Sequence, residues 1–238
     1  MHEETSRLEK VAVDSLYLDP CNRATTEYSL SIIDRLMRLD RSAVLELGPA
    51  EGVMTGALLA KSRSLTVVEG SPKFATDLQR RYPSLEVVNC LFEHYAPQQG
   101  FDVIVLGHVL EHVDDPVAIL ARAKQWLASG GRIFAAVPNA RSLHRQAAVL
   151  MGLLQVEDSM SDLDRHHGHR RVFNPESFRH CFHLAGLMIE QFGGYWLKPV
   201  SNRQVDETWT PAMLHAFMRL GERYPDIAAE IYVAASAA

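Results

Sequence analysis

Short apolar runs rich in β-branched residues alternate with longer segments of helical spacing from residue 43 onward. Five of these runs are apolar on both faces, as parallel strands covered by helices must be. They are residues 43–47, 65–69, 85–89, 101–107 and 131–137. The helical spacing falls at residues 53–60, 72–82 and 116–128. The alternation predicts βαβ units with right-handed crossovers, and therefore an α/β, doubly wound sheet.

The remaining segments surround this alternating core. Residues 24–39 predict an amphipathic helix, which follows a loop carrying the turn signal Asp19-Pro20, so that residues 1–40 form an N-terminal helical cap. Two further apolar runs, 187–193 and 230–236, bring the sheet to about seven strands, and a helix near 211–222 lies between them. We expect one domain over residues 41–238, with an insertion around 140–174 that acts as a lid or substrate segment.

A helix start is also marked after the insertion. Asn174 is suited to the N-cap and Pro175 to the first helical position, and Gly186 follows the end.

The turn after the first strand reads VLELGPAEG over residues 44–52. Ligands of such sheets bind beyond the carboxyl ends of the strands, where the first turn must let the backbone approach them closely. Gly48 and Gly52 have no Cβ to obstruct this approach. Pro49 is tolerated because a loop at a strand end has no ladder donor to lose. The next helix would direct its first amide groups at the ligand.

An acid closes the second strand about twenty residues later. Glu69 is placed to accept hydrogen bonds from both hydroxyls of a ribose, and Gly70-Ser71-Pro72 opens the following helix. A lone glycine turn is often a plain tight loop. The combination of strand, glycine turn, helix and terminal acid indicates a site for a nucleotide-type ligand.

Four segments together resemble the successive motifs of class I S-adenosylmethionine-dependent methyltransferases. They are ELGPAEG, VVEGSP, FDVIVLGHVLEHVDDP and LASGGRIFAAVPN, in that order over roughly residues 40–140. The resemblance implies a Rossmann-like class I methyltransferase fold and S-adenosyl-L-methionine as cofactor. Nicotinamide dehydrogenases are the main rival for a strand, turn and acid, but the turn lacks GxGxxG.

The resemblance also implies positions for the parts of the cofactor. The loop from Glu46 to Gly52, with Gly48 and Ala50, would hold the methionine portion, and Glu69 with Gly70 and Ser71 would hold the ribose. Leu91, Phe92 and Glu93 would flank the adenine. His108 would lie near the sulfonium. Ala50 departs from the family, which most often has glycine there, but alanine is small enough for the loop to persist.

Composition and charge limit the kinds of partner that the protein is expected to bind. The chain of 238 residues is 47% hydrophobic and 22% charged, typical of a globular protein, with a net charge of −5 and a pI near 6.1. No broad basic surface suited to nucleic acid is expected, and the fourth strand lacks the D/NPPY ending of many DNA amino-methyltransferases. No apolar run is long enough for a membrane span, and the N-terminus is not a secretory signal, so we expect a cytoplasmic protein without membrane contact. The three scattered cysteines are expected to be reduced.

Several polar residues are candidates for catalysis or acceptor binding. His108, Glu111 and His112 stand where the fourth strand passes into its loop, although Glu111 and His112 would equally cap or pack a helix. Asn139 follows the fifth strand, where its amide could bind substrate or stabilise a turn.

The segment from 164 to 178 contains His166, His167 and His169. No suitably spaced acid or cysteine completes a metal site, so we predict none. We interpret the segment as a lid in which His169 is a catalytic candidate and Arg170 could pair with a carboxylate. The alternative is a solvated loop.

An aromatic wall is a further hypothesis. Tyr28 could reach over the cofactor, in both a binding and a catalytic role, although a tyrosine on such a helix often only packs. Phe173 and Trp196 could line the substrate site, where ring faces stabilise a sulfonium. Ser201 is a further substrate-binding candidate.

The expected activity is methyl transfer to a small polar acceptor, in which alignment and exclusion of water supply much of the acceleration. The segments HxGHRR and GGYWLKPVSN resemble methyltransferases of surface-saccharide and specialised-metabolite gene clusters. One alternative is cyclisation of the cofactor itself to azetidine-2-carboxylate, with release of methylthioadenosine and with Asn139, Ser201 or Asn202 orienting the amine. Another is a cofactor-binding module without activity.

Overall fold

A seven-stranded sheet forms the centre of the protein, in a computed structural model that describes residues 2–237. The strand order is β3-β2-β1-β4-β5-β7-β6. The strands are β1 (Ala43–Leu47), β2 (Ser64–Glu69), β3 (Glu86–Asn89), β4 (Phe101–Gly107), β5 (Leu127–Pro138), β6 (Leu187–Tyr195) and β7 (Glu230–Ala237). β1 to β5 pair in parallel, whereas β7 runs antiparallel to both β5 and β6. The predicted α/β, doubly wound, Rossmann-like sheet is confirmed.

Helices cover both faces of this sheet. They are α1 (His2–Val13), α2 (Pro20–Leu36), α3 (Thr55–Lys61), α4 (Pro72–Arg81), α5 (Pro116–Gln125), α6 (Leu143–Leu150), α7 (Asp162–His166), α8 (Pro175–Leu184), α9 (Asn202–Thr208) and α10 (Pro211–Gly221). Two apolar clusters, one on each face, are centred on fully buried strand residues such as Leu45 and Ile104 on one side and Val44 and Phe134 on the other. No helix within residues 2–237 is long and apolar enough to cross a membrane.

Side-chain caps fix where several helices begin. The Ser71 hydroxyl accepts from the amide of Phe74 at the start of α4, and Asp115 accepts from Ala118 at the start of α5. Asn174 and Ser177 form a reciprocal capping box at the start of α8, as the N-cap prediction requires. These caps set the positions at which the chain leaves each strand end and enters the next helix.

The helical segment before β1 differs from the prediction. The helix predicted over residues 24–39 starts at Pro20, directly after the Asp19 of the turn signal, and ends at Leu36. A separate helix, α1, occupies part of the stretch expected to be a loop. The predicted insertion contains two helices, α6 and α7.

The strand order reverses between β1 and β4. From β1 the chain continues through β2 to β3 at one edge of the sheet, whereas from β4 it continues through β5 toward the opposite edge. At such a point the loops that follow neighbouring parallel strands diverge and leave a crevice beyond their carboxyl ends. The candidate site lies in this crevice.

Candidate active site

A cavity of about 710 Å³ opens at the carboxyl ends of the strands. Its walls come from the turn after β1, from the ends of β2 and β4, from the start of β7, from α1, and from the segment between α6 and residue 169. The volume lies within the range of small-molecule sites, roughly 300–1,000 Å³.

The turn after β1 has the backbone conformation that its glycines predicted. Gly48 and Gly52 have φ angles of +62° and +72°, and Ala50 between them has +48°. A Cβ on Gly52 would lie 2.5 Å from the Leu78 side chain, so glycine is required there for space as well as conformation. The left-handed angle at Ala50 costs roughly 1–2 kcal/mol in a residue with a Cβ. The turn therefore holds one strained residue in the wall of the cavity.

Glu69 is bound to that turn. Its carboxylate accepts from the amide of Ala50 at 3.1 Å and from the amide of Ser71 at 2.7 Å, and the residue is 5% exposed. An ionised carboxylate has about four acceptor sites, so it retains capacity for ligand hydroxyls. Burial raises the pKa of Glu69 to about 7, against the opposing effect of the amide hydrogen bonds.

Glu46, at the end of β1, accepts from the Thr55 hydroxyl at 2.7 Å. Burial raises the pKa of Glu46 to about 7 as well, and the Glu69 charge adds to the rise. The two acids make this half of the cavity sensitive to pH near neutrality.

The other residues expected around the ribose and the adenine are also in the wall. Gly70 and Ser71 line the cavity, as do Leu91, Phe92 and Glu93 from the 3-10 turn after β3. An aromatic residue that the sequence reasoning missed, Tyr17, lines it from the loop between α1 and α2, and its ring stacks on His167 at 5.4 Å.

His108 stands between two carboxylates where β4 ends. It has a φ of +57°; its Nδ1 is 3.4 Å from Oε1 of Glu111, and its Nε2 is 3.8 Å from Oε2 of Glu230. Burial lowers the pKa of His108, but Glu230 and Glu111 outweigh burial and raise it to about 9. At neutral pH the imidazole is therefore charged. Sequence reasoning missed Glu230, whose only signal was an acid at the start of an apolar run.

Glu111 is fully buried, with a side chain aimed at three histidines. Burial would raise its pKa, but the contact with His108 and the charges of the neighbouring histidines lower it to about 2. The rings of His112 and His169 meet edge to face at 4.7 Å. Burial lowers the pKa of His112 to about 3.

Glu111, His112 and His169 offer potential ligand atoms within 4.8 Å of one another. The premise that no acid accompanies the histidine segment is therefore wrong, because Glu111 approaches it from a loop distant in sequence. The prediction that no metal is bound stays a prediction.

A buried ion pair joins α6 to α7 over the cavity. Arg145 Nη1 lies 3.1 Å from Oδ2 of Asp164, and Arg145 also donates to the carbonyls of Glu157 and Ser159. Asp164 further contacts Nδ1 of His169 at 3.4 Å. The predicted lid is thus tied down by one arginine, which sequence reasoning did not single out.

Trp196 and Ser201 line the cavity as expected of substrate-site candidates, together with Lys198. Asn139 lines it too, but its amide NH₂ donates to the carbonyls of Asp226 and Ala228, and its Oδ1 accepts from the amide of Arg141. Asn139 therefore has the turn-stabilising role that was its alternative.

Four predicted residues do not line the cavity: Gly52, which supports the turn from behind, and three residues with large side chains. The Tyr28 hydroxyl donates to Glu222 and its ring stacks on Tyr195, so it does not cover the cofactor. Arg170 pairs with Glu4 and Asp114. Phe173 is buried in the core against Phe178. Tyr28 and Arg170 are held by partners distant in sequence, whereas Phe173 packs against a residue only five positions away.

Comparisons with known proteins agree with this architecture. A family model described as a methyltransferase domain matches residues 22–191. The ubiquinone biosynthesis O-methyltransferase of Xylella fastidiosa (strain 9a5c) is 27% identical over 184 residues, which cover 73% of this chain and 72% of that relative.

Solved structures resemble the chain over most of its length. The N-methyltransferase NodS from Bradyrhizobium japonicum WM9, in complex with S-adenosyl-L-homocysteine, has a TM-score of 0.61 at 15% identity and covers 97% of this chain and 95% of its own. The complex between the Haloferax volcanii Trm112 methyltransferase activator and the putative methyltransferase contains a chain with a TM-score of 0.59 at 16% identity. The match covers 90% of this chain and 88% of that one. These likenesses confirm the predicted fold.

Proposed function

Because this chain belongs to the methyltransferase domain family, we propose that it transfers the methyl group of S-adenosyl-L-methionine to a small polar acceptor. The observation that carries the proposal is Glu69, which is hydrogen-bonded to the strained turn at Ala50 and still has free acceptor capacity in the cavity. That arrangement suits a ribose with two hydroxyls.

The acceptor is small because the cavity limits it. A volume of about 710 Å³ must hold both the cofactor and the group to be methylated. We infer that α6 and α7, which the Arg145–Asp164 pair joins in the wall of the cavity, act as a lid, and a closed lid would exclude water from the reacting groups. The predicted absence of nucleic-acid contact is consistent with this geometry and with the net charge of −5.

S-adenosyl-L-methionine supplies an electrophilic methyl carbon bonded to a cationic sulfur. His108, charged between Glu111 and Glu230, donates a hydrogen bond and orients the acceptor rather than accepting a proton at neutral pH. Glu230 is placed to accept the proton that the acceptor loses, because burial raises its pKa and its Oε2 accepts no hydrogen bond from the part of the chain that the structure describes. The acceptor oxygen or nitrogen gains the methyl carbon as the carbon–sulfur bond breaks.

Mass spectrometry of the products tests the proposal. The purified protein is incubated with S-adenosyl-L-methionine alone, and in parallel with a small-metabolite extract. S-adenosyl-L-homocysteine together with a new mass larger by one methyl group, both dependent on the extract, is the expected result. Glu69→Ala should abolish both, whereas Glu27→Gln on the exposed face of α2 should not.

The comparisons give no support to the cyclisation alternative. The same experiment would reveal it, because methylthioadenosine and a cyclic amino acid would form in the tube without extract. That result would overturn methyl transfer.

A further inference from the structure

Lys198 is a buried cation in the wall of the cavity. It is 7% exposed, and no carboxylate oxygen of residues 2–237 forms an ion pair with its Nζ within 4.0 Å. Burying a charge without a counter-ion is unfavourable, and such groups normally have a partner. The partner of Lys198 is therefore to be sought in the ligand.

The backbone holds Lys198 rigidly. Trp196, two residues before it, has a φ of +66°, a genuine outlier for a bulky side chain. Hydrogen bonds fix this conformation: the amide of Trp196 donates to Met218, and its carbonyl accepts from Ala229. A Cβ on Gly221 would lie 2.2 Å from the Trp196 nitrogen, so a glycine is needed for this close approach. Strain of this kind persists only where the surroundings fix it, and it is concentrated at functional sites.

The ammonium retains capacity to donate to a ligand. Nζ donates to Oδ1 of Asn202 at 2.7 Å and lies 4.6 Å from the centre of the Trp196 ring, which leaves two N–H groups. The indole Nε1–H of Trp196 is also buried without an acceptor among residues 2–237, so it is a second unused donor beside the ammonium. Such a wall favours an anionic group.

The charged groups around Lys198 favour a ligand group with a single negative charge. Burial lowers the pKa of Lys198; the Glu230 and Asp164 carboxylates oppose this effect, and Arg145 adds to it. Asp164 is already paired with Arg145, while Glu230 faces His108. With Glu230 close by, a carboxylate is accommodated more readily than a doubly charged phosphate.

Sheet order favours the acceptor side for Lys198. It follows β6, the outermost strand, which is four positions from β1 and its predicted cofactor-binding turn. Neighbouring strands are about 4.8 Å apart, so the end of β6, from which the segment carrying Lys198 continues, is displaced along the sheet from the end of β1. We propose that Lys198 binds a carboxylate on the methyl acceptor, so that the substrate is a small acid with a hydroxyl or amine to be methylated. This inference rests on the proposed methyl transfer.

Calorimetry with matched probes tests the inference without turnover. Protein saturated with S-adenosyl-L-homocysteine is titrated with 3-hydroxybenzoate and 3-hydroxybenzamide, and with 3-hydroxybutyrate and its amide. Within at least one pair, we expect the acid to bind about 10- to 100-fold more tightly than the amide, the range for a charge-assisted hydrogen bond. Lys198→Met should remove this preference, and Lys61→Met, at a surface ion pair, should keep it. Equal binding of acid and amide in both pairs, or an unchanged preference in Lys198→Met, overturns the proposal.

The cofactor has a carboxylate of its own, which a second comparison separates. S-adenosyl-L-homocysteine carries that carboxylate and methylthioadenosine does not. Lys198→Met should bind both as the wild type does. A loss of affinity confined to S-adenosyl-L-homocysteine would assign Lys198 to the cofactor and overturn its assignment to the acceptor.

Turnover supplies a third comparison. A metabolite extract is divided on an anion exchanger, and each fraction is offered with methyl-labelled cofactor. Labelled product should come from the retained, anionic fraction and fall at least tenfold with Lys198→Met. Product from the unretained fraction alone overturns the inference. Absence of product from both fractions counts against methyl transfer itself, and the calorimetric comparison then still decides the role of Lys198.

Discussion

Glu69 joins the turn after β1 to the start of α4 through hydrogen bonds from the Ala50 and Ser71 amides. In Glu69→Gln the side chain keeps its size, but one of its two oxygen acceptors becomes a donor. We therefore expect affinity for S-adenosyl-L-homocysteine to fall about 10- to 100-fold, measured by calorimetry. Glu27→Gln, at an exposed helix position, is the matched control and should bind as the wild type does.

The same titrations across pH check the ionisation. The pKa of Glu69 is raised from 4.5 to about 7 in the folded protein. The ligand-free protein therefore loses folding stability as pH rises between those values, because the carboxylate ionises less readily in the folded state than in the unfolded one. A ligand that donates to the carboxylate favours the ionised form, and affinity should increase as pH rises through 7. Glu69→Gln should flatten this increase. A variant with wild-type affinity and an unchanged pH profile would contradict the ribose assignment.

His108 should titrate well above an ordinary histidine. Its pKa is raised from 6.5 to about 9 by Glu230 and Glu111 despite burial, so it contributes stability that is present below pH 6.5 and is lost as pH rises through 9. Glu111→Gln removes one of the two carboxylates, and the midpoint should move toward 6.5, as followed by NMR of the imidazole. Glu27→Gln should leave it unchanged. A wild-type midpoint at or below 6.5 would contradict the charged state inferred for His108.

At the scale of elements, the Arg145–Asp164 pair holds α6 against α7. Asp164→Asn leaves the guanidinium buried without a full counter-charge, which costs about 3–5 kcal/mol when such pairs are broken. We expect this lost stability to appear as local opening of the segment between α6 and α7, measured as faster protease cleavage between residues 150 and 161. The sheet should stay folded by circular dichroism.

A double variant separates charge from packing. Arg145→Met with Asp164→Leu removes both buried charges and should regain part of the protease resistance, because an apolar pair carries no desolvation penalty while the carbonyls of Glu157 and Ser159 lose their donor. Equal cleavage of wild type and Asp164→Asn would show that the pair does not secure the lid.

Elements whose signals are local were predictable from the sequence. The strands of the sheet, the N-cap at Asn174 and the turn with Gly48 and Gly52 depend on residues adjacent in the chain. By contrast, α1 is mixed in charge and is held by distant contacts, such as that of Glu9 with the Ser71 hydroxyl. Periodicity carries no information about such contacts.

The same distinction explains the site residues. Tyr28 and Arg170 were assigned to the cavity from their residue type, but Glu222 and Glu4, each more than 160 residues away in sequence, take up their side chains. Lys198 and Glu230 carried no motif. Both are buried, Lys198 without a carboxylate within 4.0 Å and Glu230 with an Oε2 that accepts no hydrogen bond among residues 2–237, and this is known only when the chain is folded.

At the scale of the whole molecule, α1 connects regions of the cavity that are far apart in sequence. Arg7 donates to the carbonyls of Gly168 and His112, and Glu9 accepts from the Ser71 hydroxyl at the start of α4. One helix therefore contacts the start of α4, where the ribose is predicted to bind, the loop after β4 and the predicted lid segment. Ligand bound in the cavity should stabilise these contacts together, since anything that binds only the folded state stabilises it.

Hydrogen exchange measures this coupling. Saturation with S-adenosyl-L-homocysteine should slow amide exchange in α1 and in residues 160–170 together, although they are separated by most of the chain. Arg7→Met removes both carbonyl contacts and should abolish the protection of α1 while the turn at residues 48–52 stays protected. Arg23→Met, on the exposed face of α2, is the control that should change neither. Protection of α1 that persists unchanged in Arg7→Met would mean that the helix responds to the ligand directly and not through the lid segment.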